Sequence, residues 1–246
     1  MRAALILVPA LALAACNIVA DAQEGAGDQA HGETTQRDYQ VGAFDSVSLG
    51  GHHNVVVQVG PAVSVRAQGS AAELDRLEIE VRDGDLHIGT KKGEKWSIGF
   101  NRDRPPVTIY VTTPSLAAAS IGGSGDMKID KVEGDGFSAS IGGSGDMQIA
   151  SLRVGTADFS IAGSGGIRAA GTAQRTDVSI AGSGDVSLAE LESRSASVSI
   201  VGSGDVSARA METADVSIMG SGDVAISGPA KCTISKMGSG DVRCGG

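Results

Sequence analysis

Apolar and small polar residues alternate in short runs down the C-terminal half of this chain. Phe159-Ser160-Ile161, Val178-Ser179-Ile180, Val198-Ser199-Ile200 and Val216-Ser217-Ile218 share one pattern. Met127-Lys128-Ile129, Met147-Gln148-Ile149, Val186-Ser187-Leu188 and Val224-Ala225-Ile226 share another. A period of two places every second side chain on one face, so each run predicts a strand with its apolar set inward. The inward positions are rich in Val and Ile, which suit a pleated, buried surface.

Between the two kinds of run sits Gly-Ser-Gly-Asp. It occurs at Gly123–Asp126, Gly143–Asp146, Gly182–Asp185, Gly202–Asp205, Gly220–Asp223 and Gly238–Asp241, with a degenerate copy at Gly163-Ser164-Gly165-Gly166. The first glycines, at 123, 143, 163, 182, 202, 220 and 238, are 20, 20, 19, 20, 18 and 18 residues apart. A fixed corner at a near-constant period means a solenoid whose units stack on a shared core. Two strands and two turns use about 18–20 residues, which leaves no room for a helix in the repeat. The expected fold is all-β, a parallel β-helix in which each rung is strand, corner, strand and a looser return turn. At about 4.8 Å per rung the seven corners would form a column about 30 Å long.

The corner has a structural explanation. Its glycines admit positive φ, and its Ser and Asp bond local amides. A sharper reading is a ladder of carboxylates, Asp126, Asp146, Asp185, Asp205, Asp223 and Asp241, relieved of its repulsion by Ca²⁺. The calcium-binding nonapeptide repeat places its Asp differently and has half this period. The stacking turn is therefore the preferred reading, with calcium the lesser alternative and no cofactor required.

The N-terminal third is less regular. Val47-Ser48-Leu49, Asn54–Val59, Ser64–Ala67 and Val107–Thr112 predict strands, and Gly60-Pro61 a turn. Glu78–Val81 and Leu86–Gly89 flank a turn at Arg82-Asp83-Gly84-Asp85. Ser70, with Glu73 three residues on, predicts the start of a short helix through Leu77. Residues 44–114 are expected to form irregular rungs that cap the first edge of the solenoid. Residues 115–246 carry the repeats, and 44–246 form one domain. Residues 17–43, with Asp21, Glu24, Asp28, Glu33 and Asp38 against Arg37, read as a flexible tether.

Residues 1–16 read as a targeting segment: Arg2, an apolar stretch Ala3–Ala12 too short to span a bilayer, then Leu13-Ala14-Ala15-Cys16. Leu-Ala-Ala-Cys resembles a bacterial lipoprotein box, which implies cleavage before Cys16 and lipidation of its thiol. Ordinary signal-peptide cleavage that leaves Cys16 free is the alternative. Asn17 after the cysteine, by resemblance to the sorting rule for such lipoproteins, favours the outer membrane. In an exported chain the two other cysteines, Cys232 and Cys244, read as a disulfide. Each lies six residues from Gly238 with inward parity, so the pair would close the last rung.

Loss of Arg2 takes the formal charge from −9 to −10, which argues against nucleic acid or anionic head groups as partners. Aromatics are 3% of residues, too few for extended stacking platforms for sugars or bases.

The search for catalytic chemistry is mostly negative. His52-His53 reads as a pair of exposed turn histidines rather than a chelate, because neighbours on a strand face opposite ways. His31 lies in the tether, and His87 alternates with Leu86 and Ile88, facing outward. No serine is distinguished from its copies, and Gly122–Asp126 lacks the second glycine of a nucleophile elbow. Carboxylates one rung apart would sit closer than the roughly 5 Å of a retaining glycosidase. Lys91, Lys92, Lys95, Trp96, Phe100 and Arg102 gather before Pro105, a run that is usually a solvated loop and whose sharper reading is a basic-aromatic contact surface.

The cysteine box, the order Phe44…Val55–Val59…Leu74…Leu86-His87-Ile88…Val107–Val111-Thr112-Thr113-Pro114, and the Ser-Gly-Ser-Gly-Asp-like repeats together resemble the auto-transporter adhesin head GIN domain family of bacterial envelope lipoproteins. That resemblance spans about Phe44 to Gly246 and implies a β-helix-like fold on the cell envelope, with no catalytic residues to transfer. The expected function is non-enzymatic: a lipid-anchored envelope protein, in the outer membrane, that presents a repetitive face to another macromolecule. The alternatives are a periplasmic scaffold for another envelope protein and a carbohydrate-active enzyme using the Lys91–Arg104 region. Whether the domain faces the periplasm or the cell exterior is left open.

Overall fold

The computed structural model describes residues 34–91 and 106–245. The elements of the N-terminal part are β1 (Thr35–Tyr39), β2 (Ser46–Gly51), β3 (Asn54–Val59), β4 (Ser64–Gly69), α1 (Ala71–Arg76), β5 (Leu77–Arg82), β6 (Asp85–Thr90), β7 (Thr108–Thr113), β8 (Ala118–Gly123) and β9 (Met127–Ile129). The repeats supply β10 (Val132–Gly143), β11 (Asp146–Gly163), β12 (Gly166–Gly182), β13 (Asp185–Gly202) and β14 (Val206–Gly220). The last rung holds β15 (Val224–Ser227), β16 (Lys231–Gly238) and β17 (Val242–Cys244). The protein is all-β, a parallel β-solenoid.

Each full rung is a single bent strand from corner to corner rather than two strands and a loose return. In β11 the inward residues are Met147 and Ile149, then Leu152 and Val154, then Ala157, Phe159 and Ile161. Paired exposed residues at Ala150-Ser151, and half-buried ones at Gly155-Thr156, break the alternation and turn the chain. The rung therefore has three sides. We call the side after the corner the first and the side leading into it the third. The return stays paired because every backbone amide near the core needs a partner. Eighteen-residue rungs shorten at the second side, where pairing of β13 with β14 slips between Leu188 and Glu192.

Stacking does not follow chain order at the N-terminal end. The β2–β3 rung lies between the β6–β7 rung and the β8–β9 rung: β2 pairs in parallel with both β6 and β8, and β3 with both β7 and β9. The chain thus lays its first rung, doubles back to place one beneath it, then continues above. The lower end is closed by antiparallel strands, β5 on β6 and β4 on β7, with β1 outside β4. Reversal of direction ends the parallel ladder, which is what a cap must do.

Local signals explain the cap. Ser70 caps α1 by accepting from the Glu73 amide, as its spacing predicts. Asp83 (φ 51°) and Gly84 (φ 81°) make the two-residue turn of the β5–β6 hairpin. β1 is a correction, since its residues fall within the stretch read as a tether. Its sequence, Thr-Gln-Arg-Asp-Tyr, lacks an apolar face because it is an outermost strand. Polar contacts hold it instead: Arg37 bonds Asp75 at 2.7 Å and the Leu74 carbonyl at 2.9 Å, and Arg66 bonds Asp38 at 2.7 Å. The exposed Arg37 guanidinium holds the Asp75 carboxyl below its ordinary pKa.

Candidate contact surface

Register through the stack turns each repeat position into a column. Gly51, Gly123, Gly143, Gly163, Gly182, Gly202, Gly220 and Gly238 stand in one line. Gly202 shows why the residue is required. It has φ +135°, and a Cβ there would lie 2.0 Å from the Gly182 carbonyl oxygen. Two residues on, a Cβ on Gly204 would meet the Gly184 oxygen at 2.1 Å. The close approach lets each first-glycine carbonyl accept from the serine amide of the next rung, as the Gly182 carbonyl does from the Ser203 amide at 2.8 Å.

The Asp column forms a second ladder. Oδ1 of Asp126, Asp146, Asp185, Asp205 and Asp223 accepts the amide of residue 146, 166, 205, 223 and 241 respectively, at 2.7–3.1 Å. At the degenerate corner Gly166 offers no carboxylate, and the Asp185 amide turns to the Gly165 carbonyl at 3.2 Å. A backbone amide thus holds one oxygen of each of these carboxylates, which gives the recurring Asp a structural role. Among the described residues no three His, Cys, Asp or Glu side chains converge as ligands for a metal.

His52-His53 is a further copy of this corner, invisible in the repeat. Gly51 pairs with Gly123 and Val55 with Met127, which places His53 level with Gly125. Contrary to the expectation of two exposed turn histidines, His53 is 2% exposed, and its Nδ1 accepts the Val107 amide at 3.3 Å. Burial, helped by the neighbouring His52, pushes its pKa down to about 4. A neutral acceptor that closes the gap below the first glycine corner explains the residue without a ligand.

The third side presents three outward columns of residues. Ser48, Ser120, Ser140, Ser160, Ser179, Ser199, Ser217 and Ser235 form an unbroken hydroxyl column, extended at the lower end by His87 level with Ser48. Ser120 Oγ donates to Ser48 Oγ at 2.9 Å. Two residues toward the N-terminus, the column reads Ser46, Ala118, Ser138, Asp158, Asp177, Ser197, Asp215 and Thr233. Two residues toward the corner it reads Gly50, Gly122, Gly142, Ala162, Ala181, Val201, Met219 and Met237. Val201 is 54% exposed, Met219 56% and Met237 70%. Sequence reasoning missed this apolar end of the column, although aligning the residue before each first glycine reveals it.

Cys232 and Cys244 form a disulfide across the last rung, joining its third and first sides. Lys236 stands in the inward column of Ile161, Ile180, Ile200 and Ile218, and its Nζ donates to the Gly240 carbonyl at 2.6 Å. Of the predicted basic-aromatic surface, Lys91 is tied to α1, its Nζ donating to the Asp75 carbonyl at 2.7 Å. Lys92, Lys95, Trp96, Phe100 and Arg102 lie outside the described residues, as does Cys16.

Solved structures share this architecture. A putative adhesin from Bacteroides fragilis superposes with a TM-score of 0.78 at 24% identity, over 86% of this chain and 96% of that one. A putative lipid binding protein from Parabacteroides distasonis gives 0.68 at 24% identity, over 87% and 97%. A putative adhesin from Parabacteroides merdae gives 0.67 at 17% identity, over 87% and 96%. At these identities the likeness speaks to fold. No curated protein matches the chain. Residues 43–230 match the family described as "Putative auto-transporter adhesin, head GIN domain", and the chain belongs to that family.

Proposed function

We propose that this protein is a non-enzymatic, lipid-anchored component of the bacterial outer membrane whose third side adheres to an envelope or surface macromolecule. One observation carries the reading. The serine column runs through eight levels without a break, although its side chains face outward and the core does not require them. Stacking alone tolerates any outward residue, so a uniform hydroxyl row about 4.8 Å apart suits a partner that is itself extended and repetitive. Many weak polar contacts on a rigid scaffold then add through effective concentration. The family's adhesin description is consistent with this role. Cys16 supplies the anchor, and no helix among the described residues is long and apolar enough to cross a membrane.

Protease shaving of intact cells, with a lysed-cell control, tests the placement. Loss of the domain from intact cells supports surface adhesion. Protection until the outer membrane is opened rejects it and transfers the search to the periplasm. Incorporation of radiolabelled palmitate that disappears in Cys16→Ala tests the anchor.

A further inference from the structure

We infer that the ridge at the corner of the last three rungs is a docking seam for a cationic, amphipathic polypeptide segment lying along the solenoid axis. This inference rests on the contact role proposed above and gives the partner a chemistry. Its first support is a gradient. The outward residue before the first glycine is Gly or Ala in the lower rungs, then becomes Val201, Met219 and Met237, all more than half exposed. The neighbouring serine column stays constant over the same rungs, so stacking does not demand the change. Stacked exposed apolar side chains of this size mark a surface that is covered in use, and methionine adapts to varied partners.

The second support lies on the other flank of the same corner. A shallow groove of about 350 Å³ runs along the first side, lined by Asp185, Asp205, Asp223 and Asp241 with Ser187, Ser207 and Ala225 beside them, so that it begins one rung below the apolar stripe. Asp205 and Asp223 each engage Oδ1 with the next amide, and both residues remain exposed. Asp215, on the third side, adds a carboxylate four residues before the Met219 column. Arg243 is the cation of this groove, at its upper end. Apolar stripe and acidic groove thus meet along one ridge. A segment that straddles it sets apolar side chains on Val201, Met219 and Met237 and lysines or arginines beside the carboxylates. An anionic segment is repelled, and a purely cationic one leaves the stripe wet.

The test uses the purified chain and three synthetic peptides of equal length, alternating Lys with Leu, Glu with Leu, and Lys with Ser, followed by fluorescence anisotropy. The Lys-Leu peptide is expected to bind best, to weaken with added salt, and to lose roughly tenfold or more in affinity for Met219→Ser/Met237→Ser. Both methionines face outward, so circular dichroism of the variant should match the parent. Equal binding of the Glu-Leu peptide overturns the seam. So does unchanged binding by the double variant, which would mean diffuse attraction to an acidic protein. Either failure leaves surface adhesion through the serine column standing, because that is read on whole cells.

Discussion

The Oδ1 of Asp205 accepts the backbone amide of Asp223 at 2.9 Å, one rung further along the stack. The bond makes each corner the cap of the next, and it explains why Asp recurs in a position open to solvent.

Removing that acceptor separates geometry from charge. Asp205→Ala should lower unfolding free energy by about 1 kcal/mol, the usual net value of such a bond. Asp205→Asn keeps an acceptor oxygen and relieves repulsion along the column, so it should be near neutral. Urea titrations distinguish the two, and millimolar Ca²⁺ should leave the melting temperature of the parent unchanged.

The glycine column is far less forgiving. Gly202→Ala forces a Cβ onto the Gly182 oxygen at a positive φ and should cost about 3 kcal/mol or more. Ser203→Ala, on the exposed tip of the same corner, should cost almost nothing. Thermal melts of the pair provide the comparison.

His53 makes stability depend on pH. Its folded pKa of about 4 lies below the ordinary histidine value near 6.5, so the unfolded chain binds the proton more readily. Its contribution is complete above pH 6.5, declines as pH falls through that value, and levels off below about 4. The loss integrates to about 3 kcal/mol at most. Denaturant titrations at pH 7 and 4.5 should show that decline, and His53→Gln should flatten it.

The upper end is guarded by charge. Ile234 is 47% exposed, with no rung above it among the described residues, and Lys236 interrupts the isoleucine column beside it. An inward charge at a sheet end discourages another edge from adding. Lys236→Ile should therefore promote end-to-end association, seen as heavier species in sedimentation velocity at micromolar concentration.

The disulfide pins the same end. Cys232 and Cys244 are 12 residues apart, and reduction should lower stability by about 2–3 kcal/mol. Protease sensitivity that begins near Lys231–Gly238 on reduction is the expected signature.

The repeat, the inward parity of Val and Ile, the Ser70 cap and the Asp83-Gly84 turn were all legible as local patterns. Each reflects a choice made within a few residues. The turn at His52-His53 was legible, but its kinship with the glycine corners and the burial of His53 were not, because His53 departs from the glycine it replaces and only its level beside Gly125 discloses the relation. β1 was hidden for the opposite reason: an outermost strand held by Arg37 and Asp38 needs no apolar stripe.

Local residue pattern alone sets the rung: its length, its corner and the residues that face the core. Side-chain alternation and backbone sterics set these before any rung meets another. Which rungs are neighbours is settled by packing between them, which places β6–β7 beneath β2–β3 although it follows them in the chain. Hydrogen bonds between strands specify an edge and a register, not a chain order, and the entropy of closing a connecting loop grows slowly with its length. The same stacking turned scattered serines, aspartates and methionines into columns, where any contact with a partner would be made.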